Sequence, residues 1–193
     1  MFQLVFATHN HNKLKEIQTL MPKNIELLSL DDIGCFEDIE ETESTIEGNA
    51  ILKAKYIKKK YGYNVFADDT GLEVNTLENQ PGVYSARYAG NHKNDADNIQ
   101  LLLQNMEGKT QREAQFRTVI ALCLNDEQHI FEGIVKGIIT KTCKGNNGFG
   151  YDPVFQPDGF TKTFAELPLE TKNKIGHRGK AFEKLLDFLN NNS

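Results

Sequence analysis

The order of hydrophobic periods constrains this chain more than any single residue does. Leu4-Val5-Phe6-Ala7 reads as a short buried strand, Thr8 to Asn12 as a polar turn, and Lys13 to Met21 as a helix closed by Pro22. Ile25 to Leu30 reads as a second strand, Ser44 to Lys60 as a long helix, and Asn64 to Asp69 as a third strand. After a helix at Asp97 to Met106 the pattern changes. Ala114 to Asn125 and Gln128 to Thr140 are two β-rich runs separated by the turn-like Asp126-Glu127. Arg178 to Leu189 closes the chain as an amphipathic helix through Phe182, Leu185, Leu186 and Leu189. Strand–helix–strand alternation builds parallel neighbours through crossovers, whereas two strands joined by a tight turn pair antiparallel. Both in one chain predict an α/β protein with a mixed sheet, and 193 residues suffice for one domain of two lobes with a cleft between them.

Between these elements lie the acidic loop Asp31 to Glu43, an irregular stretch from Leu77 to Gly90 with a turn at Pro81-Gly82, and the glycine-rich, aromatic Lys144 to Pro153. The tail Asn190 to Ser193 reads as frayed. The formal net charge of −5 argues against a grip on nucleic acid, which needs a basic surface to displace counterions. It leaves room for a small anionic substrate, since a few inward lysines make a local positive pocket. Cys35, Cys123 and Cys143 are widely spaced and form no CxxC pair, which fits a reducing cytoplasm. The N-terminus lacks the basic region of a signal peptide, and no apolar run approaches the roughly 20 residues that span a bilayer.

Five features carry candidate chemistry. The strand–turn–helix from Val5 to Lys15 points backbone N–H groups and a positive dipole end at its turn, which suits phosphate, and Thr8, Asn10 and Lys13 add hydrogen bonds and charge. On the long helix, with Ser44 as cap and Glu47 completing a capping box, Ile46, Ala50, Ala54, Ile57 and Tyr61 form one buried face. Lys53 lies along that face beside Asn49, either snorkelling at its edge or aimed at an anion. Glu40 and Glu41 in the loop, and Asp68 and Asp69 where the third strand ends, are two acidic clusters able to converge on magnesium, which takes one or two carboxylates plus phosphate and water oxygens. In Gly148-Phe149-Gly150-Tyr151-Asp152-Pro153, glycines bracket a ring on which a flat base can stack, with Asp152 to accept from ring N–H groups. Finally, Lys172 to Lys180 is a dense basic cluster at a helix start, where an anion would relieve an unfavourable dipole arrangement, with His177 and Arg178 able to read a base edge. Each segment alone also fits an ordinary capped helix, solvated strand end, β-turn or basic loop.

As a set they resemble the inosine triphosphate pyrophosphatase family, the non-canonical purine nucleoside triphosphate pyrophosphatases. The matching pieces are Ala7 to Lys13, Glu41-Thr42 through Asn49 to Ala54, Ala67 to Leu72, Pro81 to Gly90, Gly148 to Phe155, and His177 to Ala181, in family order from residue 7 to residue 181. The resemblance implies an elongated α/β fold, a homodimer, and magnesium-dependent hydrolysis of ITP, dITP and XTP between the α and β phosphates, which cleanses the nucleotide pool. It implies that Thr8, Asn10 and Lys13 hold phosphate, with Lys53 adding charge, and that His9, His11 and Asn12 also bind substrate. Asp69 is then the general base and a metal ligand, with Glu40 or Glu41 as the second carboxylate. Thr70 touches substrate, Phe149 stacks on the base, and Gly150, Tyr151 and Asp152 complete that wall. Lys172, His177 and Arg178 bind the other side, including the 6-oxo edge.

Three positions depart from the family pattern: Thr70 replaces serine, Gly48 replaces a glutamate inside the helix, and Gly176 replaces the serine before His-Arg. Gly48 weakens the helix by propensity. Two other readings are a housekeeping pyrophosphatase for other damaged or pyrimidine triphosphates and a non-catalytic nucleotide sensor. A sensor would not need a positioned base such as Asp69.

Overall fold

The computed structural model of the chain describes residues 2–191; Met1, Asn192 and Ser193, the last two in the tail read as frayed, lie outside the described residues. The elements run β1 (Phe2–Phe6), α1 (His11–Gln18), β2 (Ile25–Leu28), α2 (Ile46–Tyr61), β3 (Val65–Val74), β4 (Gln80–Gly82), α3 (Asp95–Asn105), β5 (Glu113–Leu124), β6 (Glu127–Ile139), β7 (Phe155–Pro157), α4 (Leu169–Ile175) and α5 (His177–Asn191). The sheet order is β2-β1-β3-β5-β6-β7, with β4 on β3. β1 is parallel to both β2 and β3, whereas β4 is antiparallel to β3 and β7 to β6. This is the mixed α/β sheet expected. α1 and α2 serve as the crossovers that parallel neighbours require.

The chain divides into two compact units. The first comprises Met1–Asp69, Thr118–Gly133 and Arg178–Ser193, and the second Thr70–Arg117 and Ile134–His177. In the first, Phe6 and Phe66 are register partners whose rings stack at 4.5 Å, and Phe182 of α5 packs on Phe66 at 5.8 Å. Ile17, Ile120 and Leu185 close that core. In the second, Leu102 of α3 and Met106 just after it share a core with Leu72, Val135, Val154, Phe116, Phe155 and Phe164. Phe116 meets Phe155 edge-on at 4.7 Å. The helical face read on α2 is present: Ile46, Asn49, Ala50, Lys53, Ala54 and Ile57 are its buried residues.

Several boundaries differ from the sequence reading. β3 does not stop at the two aspartates but continues to Val74, because β4 pairs with its second half, Leu72 opposite Gly82 and Val74 opposite Gln80. Asp68 and Asp69 nevertheless lie past the end of β1, whose register with β3 stops at Phe6 opposite Phe66. They thus sit beyond the carboxyl end of the parallel ladder, where α/β folds place ligands. The stretch from Leu77 to Gly90 is less irregular than expected, holding β4 and the 3-10 turn Ser85–Arg87. α5 extends to Asn191, so the described part of the tail is helical. Lys172 and Lys174 fall in the last turn of α4, where positive charge suits the dipole, so His177, Arg178 and Lys180 are the part of the basic cluster that opens α5.

The cap of α2 is also different. Thr45, not Ser44, is the N-cap, and its Oγ1 accepts from Gly48 N–H at 3.0 Å, so no Ser44–Glu47 box forms. The Asn49 side chain reaches back to accept from Glu43 N–H at 3.0 Å, folding the incoming chain over the first turn. A Cβ on Gly48 would stand 2.8 Å from Glu43 Cβ and 2.9 Å from Thr45 Oγ1, so the glycine fits a crowded cap. Gly48→Ala adds about 1 kcal/mol of helix propensity, but overpacking costs about 1–3 kcal/mol and disturbs the cap. Thermal unfolding should show no gain and a net loss of about 1 kcal/mol; a raised Tm would show that residues 43–45 yield freely.

Candidate functional site

In the first unit the site begins where β1 ends. Thr8 Oγ1 accepts from Asn10 N–H, and Asn10 Oδ1 accepts from Asn12 and Lys13 N–H, so the expected phosphate turn is a tight N-cap. A hydroxyl that accepts one bond still has a proton to donate, and Asn10 keeps its NH2, so the turn retains donors for an anion. His11 and Asn12 are exposed. His9 Nε2 lies 3.0 Å from the Glu37 carbonyl, which can only accept, so the imidazole carries its proton on Nε2. Lys13 turns inward and its Nζ meets Asp68 Oδ1 at 2.9 Å.

Successive side chains on a strand point to opposite faces, and the adjacent aspartates of β3 accordingly have different partners. Asp68 is 1% exposed and is held by Lys13 and by Arg178 Nε at 2.9 Å. Arg178 Nη1 goes to Glu16 of α1 at 2.5 Å. Asp69 faces α2, with Asn49 Nδ2 at 3.3 Å from Oδ2 and Lys53 Nζ at 3.9 Å from Oδ1. Lys53 also binds Glu41 Oε1 at 2.6 Å. Lys53 is therefore aimed at carboxylates rather than snorkelling.

These environments push the two aspartates apart. Burial alone would raise the Asp68 carboxyl, but Lys13 and Arg178, with Lys53 behind them, hold it well below the usual carboxylate range. Burial raises Asp69, and Glu41 and Asp68 add to the shift against the pull of Lys53 and Lys13, leaving it above the usual range. Burial opposes the charge of Lys53, yet Asp69, Glu41 and Asp68 outweigh it and raise its affinity for the proton. Lys13 goes the other way. Burial lowers it and Lys53 and Arg178 repel it, while it shares Asp68 with Arg178, so its charge is under-compensated. An anion beside it would relieve that.

The donor set fits a hard divalent cation. Glu41 and Asp69 both converge on the Lys53 ammonium, and the cluster sets the cations Lys13, Lys53 and Arg178 against the carboxylates Glu16, Glu41, Asp68 and Asp69, an excess of one negative charge. No group of three or more His, Cys, Asp or Glu able to hold a metal occurs among the described residues. Two carboxylates are what magnesium commonly takes from a protein when phosphates and waters complete its shell. Glu40, the other glutamate considered, is exposed, whereas Glu41 turns inward.

In the second unit, a buried carboxylate organises the aromatic segment. Asp152 Oδ2 accepts from Phe149 N–H at 2.9 Å and from Lys172 Nζ at 2.5 Å. Gly148 has φ +75°, and a Cβ there would fall 2.0 Å from the same oxygen, so only glycine fits. The Lys172 ammonium lies 4.6 Å from the centroid of the half-buried Phe149 ring. Gly150 N–H donates to Asp95 at 2.7 Å, and the Tyr151 hydroxyl donates to the Ser85 carbonyl at 2.7 Å. His177 is buried and stacks on Phe116 at 4.7 Å. A Cβ on Gly176 would stand 2.5 Å from the Lys172 carbonyl, so this glycine lets α4 end tightly against the chain that enters α5. Thr70 follows Asp69 along β3 and is half-buried.

The sequence reading did not single out Glu16, Asp95 or Ser85. Glu16 had a signal: with Lys13, Ile17 and Leu20 it occupies one helical face. Asp95 had none, since its partner is distant in sequence, and Ser85 lay within the matching piece Pro81 to Gly90 without a role of its own.

The sequence model of the Ham1 family matches residues 4–188. A dITP/XTP pyrophosphatase of Flavobacterium johnsoniae is 62% identical over 97% of this chain and 97% of its own length. One from Flavobacterium psychrophilum is 60% identical over 98% of this chain and 100% of its own. Among solved structures, the Ham1 protein of Staphylococcus aureus superposes with a TM-score of 0.90 at 41% identity, covering 99% of this chain and 100% of that one.

Asp68→Asn leaves two buried cations with a neutral partner and should cost about 3–5 kcal/mol of stability at neutral pH. Because the folded carboxyl lies below the ordinary value of 3.8, its contribution is complete above that value and is lost as pH falls towards the folded one. Thermal denaturation across pH should therefore show the gap between wild type and variant closing only below pH of about 4. A gap that is constant down to acid pH would mean the ionised carboxylate is not what stabilises the unit.

Proposed function

The chain belongs to the Ham1 family, and on that premise we propose that it hydrolyses non-canonical purine nucleoside triphosphates, dITP, ITP and XTP, to the monophosphate and pyrophosphate, keeping them out of DNA and RNA. The observation that carries the reading is geometric: the adjacent aspartates of β3 have separate partners, Asp68 being held by the two cations Lys13 and Arg178, while Asp69 faces Asn49 and the Glu41–Lys53 pair. Such a split is how one site obtains a permanent anion and a proton acceptor from the same residue type.

Asp69 is the general base: it takes the proton of the water that attacks the α-phosphorus, with Asn49 fixing one of its oxygens. Asp68 is not a base, since two cations hold it ionised, and it orients Lys13 instead. We assign the polyphosphate to the turn formed by Thr8, His9, Asn10, His11 and Asn12 and to Lys13, whose charge is short of compensation. Lys53 supplies a further positive charge, and the Thr70 hydroxyl a contact to substrate. Arg178, whose Nε and Nη1 bond Asp68 and Glu16, holds Asp68 in place and is a further residue we assign to the substrate. Glu41 and Asp69 are the carboxylates we assign to magnesium, which when bound neutralises phosphate charge and orients the nucleophilic water.

The base is assigned to Phe149, with Gly150, Tyr151 and Asp152 as its wall and Lys172 and His177 towards the 6-oxo edge. The wall is held from several sides before any base arrives, which lowers the ordering cost of binding. A 6-amino purine would leave donors of the site unpaired, a mismatch that costs orders of magnitude. The reading includes a cytoplasmic homodimer, which light scattering checks by mass.

Pyrophosphate release from dITP, ITP, XTP, GTP and ATP, with magnesium or with chelator, tests the proposal. Magnesium-dependent turnover of the first three far above GTP and ATP is expected, with monophosphate as the product. Diphosphate product or equal turnover of all five would overturn it. Asp69→Asn should lower kcat by about 10²–10⁴-fold in a folded protein. Phe149→Ala should raise KM by about tenfold with a smaller effect on kcat; an unchanged KM would remove the stacking role.

A further inference from the structure

The acidic loop has no regular secondary structure, yet its side chains alternate. Cys35, Glu37, Ile39 and Glu41 turn inward, and Phe36, Asp38, Glu40 and Thr42 are exposed. This is the period of an extended segment. It is laid along α2 in the opposite direction: Glu37 meets Tyr56, Lys60 and Tyr61, Glu41 meets Lys53, and Glu43 N–H meets Asn49. Residues 37 to 43 extended reach roughly 20 Å, and residues 49 to 60 of a helix cover roughly 16 Å, so the strap and the helix match in length.

An extended segment has a simple failure: a slip of one residue exchanges every inward side chain for its neighbour. Here the slip would turn Glu40 towards Lys53 and Glu41 away. Glu37 is held by three donors of α2. Its Oε1 accepts from Lys60 Nζ at 2.6 Å, Tyr61 OH at 2.8 Å and Tyr56 OH at 3.0 Å. Its carbonyl accepts from His9, which ties the same residue to the turn after β1.

We propose that Glu37 is a positioning residue that sets the register of the acidic loop, so that Glu41 rather than Glu40 faces Lys53 and Asp69 and takes part in holding the divalent cation. This rests on the pyrophosphatase reading above. Glu37 touches neither the reacting groups nor the cation site; it acts through Glu41. The sequence offers two adjacent glutamates, and the anchor upstream selects between them.

The test compares Glu37→Leu, Glu37→Gln, Glu41→Gln and the Glu37→Leu/Glu41→Gln double variant by three readouts. These are the magnesium concentration giving half-maximal dITP hydrolysis, Mn2+ binding followed by the electron spin resonance of the free ion, and hydrogen exchange of residues 35–43. Glu37→Leu should raise the half-saturating magnesium concentration and weaken Mn2+ binding by about tenfold, the usual effect of removing an outer support of a metal ligand. KM for dITP at saturating magnesium should change little, and exchange in the loop should accelerate. Glu37→Gln keeps an acceptor for the tyrosines and should shift both metal readouts less. In the double variant, Glu37→Leu should add almost nothing to Glu41→Gln, because the two act as one unit. If Glu37→Leu misfolds, Tyr61→Phe, which removes one donor, should move the same readouts in the same direction. Metal readouts unchanged in a folded Glu37→Leu protein, or a full multiplicative effect on top of Glu41→Gln, would overturn the inference. Should the wild type turn over no purine triphosphate, the substrate reading fails, and Mn2+ affinity still decides the role of Glu37 in either direction.

Discussion

The carboxylate of Asp68 is the fixed point of the first unit. It sits in β3 with almost no solvent contact, between Lys13 of α1 and Arg178 of α5. A charge so deeply buried is tolerable only when opposite charges and hydrogen bonds surround it, so the three elements must meet there. The apolar core around Phe6, Phe66 and Phe182 brings these elements together, and the ion cluster then specifies how they align. Burial then lowers the proton affinity of Lys13 and raises that of Asp69 next door, and the neighbouring opposite charges offset this only in part.

The second unit solves a different problem with similar means. Its site is a wall made of backbone and one ring, and such a wall is only as rigid as its supports. Asp152 grips the Phe149 N–H and Lys172 together, Asp95 grips the Gly150 N–H, and Ser85 receives the Tyr151 hydroxyl. The glycines of this segment are where other atoms come close. At Gly148 the Asp152 carboxylate occupies the place of a side chain, as the Lys172 carbonyl does at Gly176. Phosphate chemistry and base recognition are thus assigned to separate cores, each preorganised by a buried acid.

Much of this was legible in the chain. The α2 stripe placed Lys53 along the buried face with Asn49 beside it, while leaving open whether the lysine snorkels or meets an anion. The period of α5 likewise put Arg178 on the face of Phe182 and Leu185. The mixed sheet followed from the change of hydrophobic pattern between the two halves. Local chemistry was read less well. Ser44 and Thr45 are equally good caps, and the choice fell to Thr45 because Asn49 and Glu43 draw the incoming chain into one path. The third strand was read as ending at Asp69, and β3 continues because β4 arrives to pair with it.

The sequence by itself determined the periods, hence the element types, the inward faces of the helices, and the inventory of acids, lysines and rings available for chemistry. These are properties of neighbours along the chain, governed by repeats of 3.6 and 2. Only the tertiary structure decided which charges meet. That Arg178 serves Asp68 and Glu16, that Glu41 and not Glu40 reaches Lys53, and that adjacent aspartates have opposite proton affinities all depend on partners from other elements. Coulomb interactions and desolvation depend on distance and burial in space, and sequence separation contains neither.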